Sequence, residues 1–330
     1  MFMKRFEEID FLKGFCMILV FFQHSILYFP IDFTKEYHWC WMLSHAIGSF
    51  FMPCFFLVSG FLFSKSTKSW NTVMKDKLYR ILVPYVFVCA ITFSVKLCVP
   101  QLAFGSYDSL GEYAKYYLLY GGDRWFLYVL FVIFLFVAPL KQLLQKNIYW
   151  VIGLLIMLFF LYYNSLLPYE FLLSKSCYMG IFFISGFVVR EYYCQIKNFI
   201  LKYKWEILLV SLFVNGWLFS RVNIYVLMYI VPYIGILGSF SFAFIILERA
   251  RNLVCEFISR ALAFVGVYSL QFYLFTGFVL VVARTFVIKI LSFSNPIYVI
   301  PLVFFIQMVL ATLGVFVCKK VPLLKKTMGY

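Results

Sequence analysis

Charge is what this chain has least of. Only 13% of its 330 residues are Asp, Glu, Lys or Arg, and just 14 are acidic. Soluble globular proteins carry about 25% charged residues, so this composition cannot furnish a water-facing surface. The same deficit of charge, set against so much apolar sequence, excludes a disordered chain and a small disulfide scaffold. Cysteine occurs nine times, an odd number, and never as CxxC. Neither a disulfide framework nor a metal cluster is expected, and Cys16, Cys54, Cys89 and Cys177, lying in apolar stretches, read as small hydrophobes. Walker, GxGxxG and HExxH motifs are absent, which removes nucleotide hydrolysis and zinc proteolysis from consideration.

What is present is apolar. Hydrophobic residues make up 64% of the chain and aromatic ones 23%, with 43 Phe and 25 Tyr. Mean hydropathy is +0.92. A helix needs about 20 apolar residues to cross a hydrocarbon core. Ten stretches approach or reach that length: 9–29, 42–63, 79–99, 125–140, 148–167, 174–190, 205–221, 225–247, 261–286 and 297–318. The expected fold class is therefore all-α, a polytopic integral membrane protein of about ten transmembrane helices. It should form one domain over 1–330 with no separate soluble part. The first stretch is expected to stay as a span, because Glu7, Glu8 and Asp10 dilute its basic start and no small-residue cleavage site follows.

The net charge of +15 is explained by where the basic residues fall. With the N-terminus inside, alternate span ends and loops hold twenty-one Lys and Arg on the inner side, and seven on the outer. The seven are Lys35, Lys115, Arg124, Lys175, Arg221, Arg284 and Lys289; Lys96 falls within a span. This bias orients the protein with both termini cytoplasmic and lays basic loops against an anionic inner leaflet. No nucleic-acid partner is expected; membrane lipid is.

The first stretch carries three residues that are expensive in lipid: Asp10, Lys13 and His24. Eleven residues separate Lys13 from His24, which is about 20° past three full helical turns and about 16 Å along the axis. The two share a helix face. Asp10 lies one turn before Lys13 and can screen it. A cation at the inner mouth can hold an anionic carrier, and a neutral imidazole deeper in can act as general base or nucleophile. The separation suits the reach of an extended phosphopantetheine arm. Ordinary structural roles for these residues are a snorkelling anchor for Lys13 and an interhelical hydrogen bond for His24.

The run Ile9-Asp10-Phe11-Leu12-Lys13-Gly14, a hydrophobic decad and His24-Ser25 resembles the opening of the acyltransferase 3 family, in which Arg or Lys precedes a His at this spacing. Phe51-Met52-Pro53-Cys54-Phe55-Phe56-Leu57-Val58-Ser59-Gly60-Phe61 is similar to its second helix, and Lys77-Leu78-Tyr79-Arg80-Ile81-Leu82-Val83-Pro84-Tyr85 to its basic entry into the third. Arg124-Trp125-Phe126-Leu127 and Ser269-Leu270-Gln271-Phe272-Tyr273-Leu274 resemble two later segments, in order along the chain. Two positions depart from the pattern: Phe51 and Phe275-Thr276 stand where many relatives have histidine.

The resemblance implies a bacterial inner-membrane acyltransferase, usually an O-acetyltransferase. Its donor would be acetyl-CoA, or another acyl-CoA, and its acceptor a hydroxyl of a cell-envelope glycan. Polysaccharide synthesis or export machinery could accompany it. Carried over residue by residue, His24 takes the catalytic role and Lys13 the charged partner, with Asp10 orienting it. Arg80 and Lys77 fall to the phosphates of coenzyme A; no metal is implied. Asp123, Arg124 and Trp125 are candidates for acceptor binding, Trp125 by stacking on a sugar. Ser59 and Gly60 read as a close helix approach. Two other readings stay open: a transporter or flippase, although no paired acidic residues lie at mid-membrane for ion coupling, and a non-catalytic subunit of polysaccharide export.

Overall fold

Apolar runs of about 20 residues satisfy their backbone in lipid by closing every hydrogen bond within the segment, as a helix does. The computed structural model describes residues 6–27, 31–98, 109–218 and 227–329, and among them there is helix and no strand. Lys4, Arg5 and Arg221, counted in the charge pattern above, lie outside the described residues, as do the side chains of Lys96, Lys325 and Lys326.

Two compact units form, residues 1–58 with 192–313 and residues 59–191 with 314–330. The first holds α1 (Glu7–Ile26), α2 (Phe33–Glu36), α3 (His38–Gly48) and the start of α4 (Phe51–Ser64). The second holds the rest of α4, then α5 (Trp70–Lys77), α6 (Val83–Cys98), α7 (Leu110–Tyr120), α8 (Trp125–Lys146), α9 (Ile148–Tyr163) and α10 (Leu173–Glu191). The chain returns to the first unit with α11 (Tyr193–Lys202), α12 (Lys204–Phe213), α13 (Leu227–Glu248), α14 (Leu253–Val267), α15 (Ser269–Arg284) and most of α16 (Pro296–Lys320). The end of α16 and α17 (Pro322–Thr327) belong to the second.

The membrane character is confirmed. Among the described residues eight helical segments are long and apolar enough to cross a membrane, and α9 is a shorter apolar helix. Of the ten expected stretches, the two without such a segment are 148–167, where α9 has 16 residues, and 205–221. The expected stretch 261–286 still contributes one span, Ser269–Ile290, but is broken at Tyr268, where φ −100° and ψ 20° end α14 before α15 begins. The stretch 205–221 is described as helix only through Leu218, α12 continuing as a π-helical turn over Val214–Leu218. Hydropathy averages over a window and does not register the break at Tyr268.

In the first unit α1 lies directly on α14. A Cβ on Gly14 would sit 1.9 Å from the Leu262 carbonyl oxygen, and one on Gly266 would sit 1.8 Å from that of Asp10. Only glycine allows this approach, the small-residue contact that brings membrane helices together. Phe11, Leu262 and Ala243 of α13 close the core beside it, with Phe15 and Phe242 packed against them. In the second unit the expected close approach at Gly60 is present: its Cβ position lies 1.8 Å from the Phe183 carbonyl oxygen. Phe63, Phe134, Phe183 and Phe187 pack around it, Phe63 and Phe134 edge to face at 5.1 Å.

Candidate active site

Helix α1 is unbroken from Glu7 to Ile26, so the spacing between Lys13 and His24 is held as a rigid helical distance. Lys13 Nζ meets Asp10 Oδ1 at 2.7 Å, and both side chains are largely buried. The Asp10 end of the helix is fixed by the Gly14–Gly266 contact, because the Asp10 carbonyl is itself what Gly266 accommodates. His24 is half-buried near the other end. Its neighbours anchor that end: Gln23 Nε2 donates to the Ser44 carbonyl at 2.9 Å and to Ser44 Oγ at 3.1 Å. Arg284 Nη2 donates to the Ser25 carbonyl at 3.1 Å and to that of Ile26 at 3.5 Å.

Arg284, counted at an outer end or loop, is only 1% exposed and stands over the Phe33 ring. A guanidinium at a helix C-terminus completes the last carbonyls and opposes the negative end of the dipole. Its position inside the apolar stretch 261–286 is a signal that it is not a loop residue. His38 and His45 are exposed residues of α3, and their rings lie 5.6 and 4.1 Å, centroid to centroid, from that of Trp41 between them in the sequence.

The two positions that depart from the family pattern carry no substitute base. Phe51 is buried at 4% exposure, and Thr276, at 1%, donates its hydroxyl to the Tyr273 carbonyl at 2.8 Å. Cys16 and Cys54 are buried in the same unit, their thiols joined by a hydrogen bond. They are free cysteines and fill apolar space, as expected.

The other candidates belong to the second unit and occupy two ends of it. At one, Lys77 closes α5 with its ammonium 4.0 Å from the Phe134 ring centroid, and Arg80 is exposed on the π-helical turn Leu78–Leu82 that follows. Lys141, counted as an inner-loop residue, is instead buried. It donates to the Lys68 carbonyl and stands 5.7 Å from the Phe63 ring, so Lys77 and Lys141 flank the Phe63–Phe134 pair. Lys68 in turn pairs with Asp76.

The other end of α8 bears Asp123, Arg124 and Trp125. Gly121 and Gly122, at φ 67° and 51°, turn the chain into it. The Tyr117 hydroxyl donates to Asp123 Oδ2 at 2.8 Å, and Arg124, 5% exposed, donates to the Asp123 carbonyl at 3.4 Å. Tyr113 and Tyr117 stack at 4.4 Å, and the Tyr85 hydroxyl donates to the Tyr117 carbonyl at 2.7 Å. One face of the Trp125 ring is covered: Lys175 Nζ lies 3.5 Å from its centroid. No local pattern signals that contact, since fifty residues separate the two. Among the described residues no cluster of His, Cys, Asp and Glu could hold a metal ion.

The family model for the acyltransferase domain of the acyltransferase 3 family matches residues 6–319, nearly the whole chain, and the protein belongs to that family. No curated protein and no solved structure matches it. The protein is accordingly a multi-pass membrane acyltransferase.

Proposed function

We propose that this acyltransferase moves an acyl group, acetyl in the first place, from cytoplasmic acyl-CoA to a hydroxyl of a cell-envelope polysaccharide or glycolipid at a bacterial cell membrane. His24 is the general base or nucleophile. The observation that carries this reading is the single helix α1, on which a half-buried imidazole and an Asp10-paired Lys13 are eleven residues apart on one face.

As general base, His24 takes the proton of the acceptor hydroxyl while its oxygen attacks the thioester carbonyl. The new C–O bond forms, the C–S bond breaks, and the proton leaves on the coenzyme A thiol. As nucleophile, the imidazole displaces the thiol first and the acceptor oxygen then displaces the imidazole; a burst of thiol separates this route from the first. Lys13 offers its charge to the donor, and Asp10 keeps that charge tolerable in a largely buried setting. Arg80 and Lys77 are assigned to the donor phosphates, Arg80 by two parallel hydrogen bonds and Lys77 as a point charge. Asp123, Arg124 and Trp125 are assigned to the acceptor.

The test is His24→Ala in membranes supplied with acetyl-CoA, read by thiol release and by mass spectrometry of envelope glycans. Loss of a general base should lower transfer by about 10²–10⁴-fold with insertion unchanged. Wild-type acetylation in that variant would end the proposal. Movement of a glycan without thiol release would favour transport instead.

A further inference from the structure

Two adjoining turns in the second unit set a cation on an indole. Gly121 and Gly122 place Trp125 at the first residue of α8, while Phe171 (φ 56°) and Leu172 (φ 51°) place Lys175 at the third residue of α10. The turns touch, since a Cβ on Gly121 would lie 2.9 Å from Leu172 Cδ1. Left-handed backbone at two bulky residues is uphill, and such strain is retained where neighbouring structure enforces it, often at ligand clamps. Here it holds the Lys175 ammonium 3.5 Å from the Trp125 ring centroid.

Among the described residues Lys175 has no carboxylate partner. The nearest acid to Trp125 in the sequence, Asp123, accepts from the Tyr117 hydroxyl. Beside Lys175, the Ser176 hydroxyl is buried at 8% exposure with no hydrogen-bond partner among the described residues. A half-buried ammonium held only by a ring quadrupole gains more from an anion, which adds charge-assisted hydrogen bonds. The flat indole beside it suits the C–H face of a pyranose.

We propose that Lys175 and Trp125 form an acceptor subsite for an anionic sugar, whose carboxylate or phosphate pairs with Lys175 while its ring lies on Trp125. This rests on the acyl-transfer reading for what then happens to the sugar; the binding can be measured without transfer.

The experiment uses the full chain in phosphatidylcholine nanodiscs, titrated with three tetrasaccharides of equal length: neutral, ending in glucuronate, and ending in mannose 6-phosphate. At least one anionic form should bind about tenfold more tightly than the neutral one, the scale of one added charge pair. Which of them does so identifies the anion. Lys175→Gln should abolish the difference, Lys175→Arg should keep it, and Trp125→Leu should weaken all three. Equal affinities, or a preference that survives Lys175→Gln, would overturn the proposal. So would saturation of Lys175 by phosphatidylglycerol in place of the sugar, which would make it a lipid-headgroup site. Selective binding combined with no acyl transfer to any acceptor would instead refute the acyl-transfer reading and leave the subsite standing.

Discussion

Replacing Gly266 by alanine adds one methyl group at the tightest point beside the Asp10–Lys13 pair. The new Cβ would lie 1.8 Å from the Asp10 carbonyl oxygen and 2.9 Å from the Gly14 nitrogen. Both are backbone atoms of α1, so no side chain can rotate away. Ordinary contact requires α1 and α14 to part by about 1.5 Å, against a close-packed interior that resists it. Overpacking of this kind costs about 1–3 kcal/mol. A shift of about 1 Å in a positioned group can cost about 100-fold in rate. Gly266→Ala should therefore lower thiol release from acetyl-CoA by about two orders of magnitude and lower the thermal unfolding midpoint in nanodiscs. Gly153→Ala on α9 is the control, because nothing lies within 4 Å of its Cβ position. It should be neutral or stabilising by up to about 1 kcal/mol, from helix propensity alone. If the two variants behave alike in both assays, the close α1–α14 contact does not position the pair.

Three further outcomes are expected. Asp10→Asn leaves Lys13 without its 2.7 Å partner; because the pair is partly solvated, the loss should be about 1–2 kcal/mol, visible as a lower unfolding midpoint together with slower transfer. Arg284→Met removes the donor to the Ser25 and Ile26 carbonyls next to His24. It should destabilise by about 1–3 kcal/mol, and Arg284→Lys should restore part of this in the same melting experiment. Gly122→Ala forces a side chain at φ 51° into the Tyr117 ring, 2.3 Å away. It should raise KM for acceptor more than for acetyl-CoA, by disturbing the turn that seats Trp125; equal effects on both would count against that role.

The spacing of Lys13 and His24, their shared face and the reach of Asp10 to Lys13 are all legible in the amino-acid order, because a helix fixes its own rise and rotation per residue. So is the all-helical membrane character, since lipid permits few other ways to satisfy an apolar backbone. The role of Gly60 is legible for a similar local reason, a small residue in an apolar run. What the order of residues leaves undecided depends on which helices meet. Lys141 and Arg284 count with the loop charges by position, and both are buried by neighbours far away in the chain. Trp125 reads as an open ring at a helix start, and Lys175 of α10 lies over it. The hold of Gly266 on Asp10 comes from α14, which hydropathy merges with α15 into one span. Local backbone geometry is encoded residue by residue, whereas the partner of a charge or a ring is chosen only when separate helices pack.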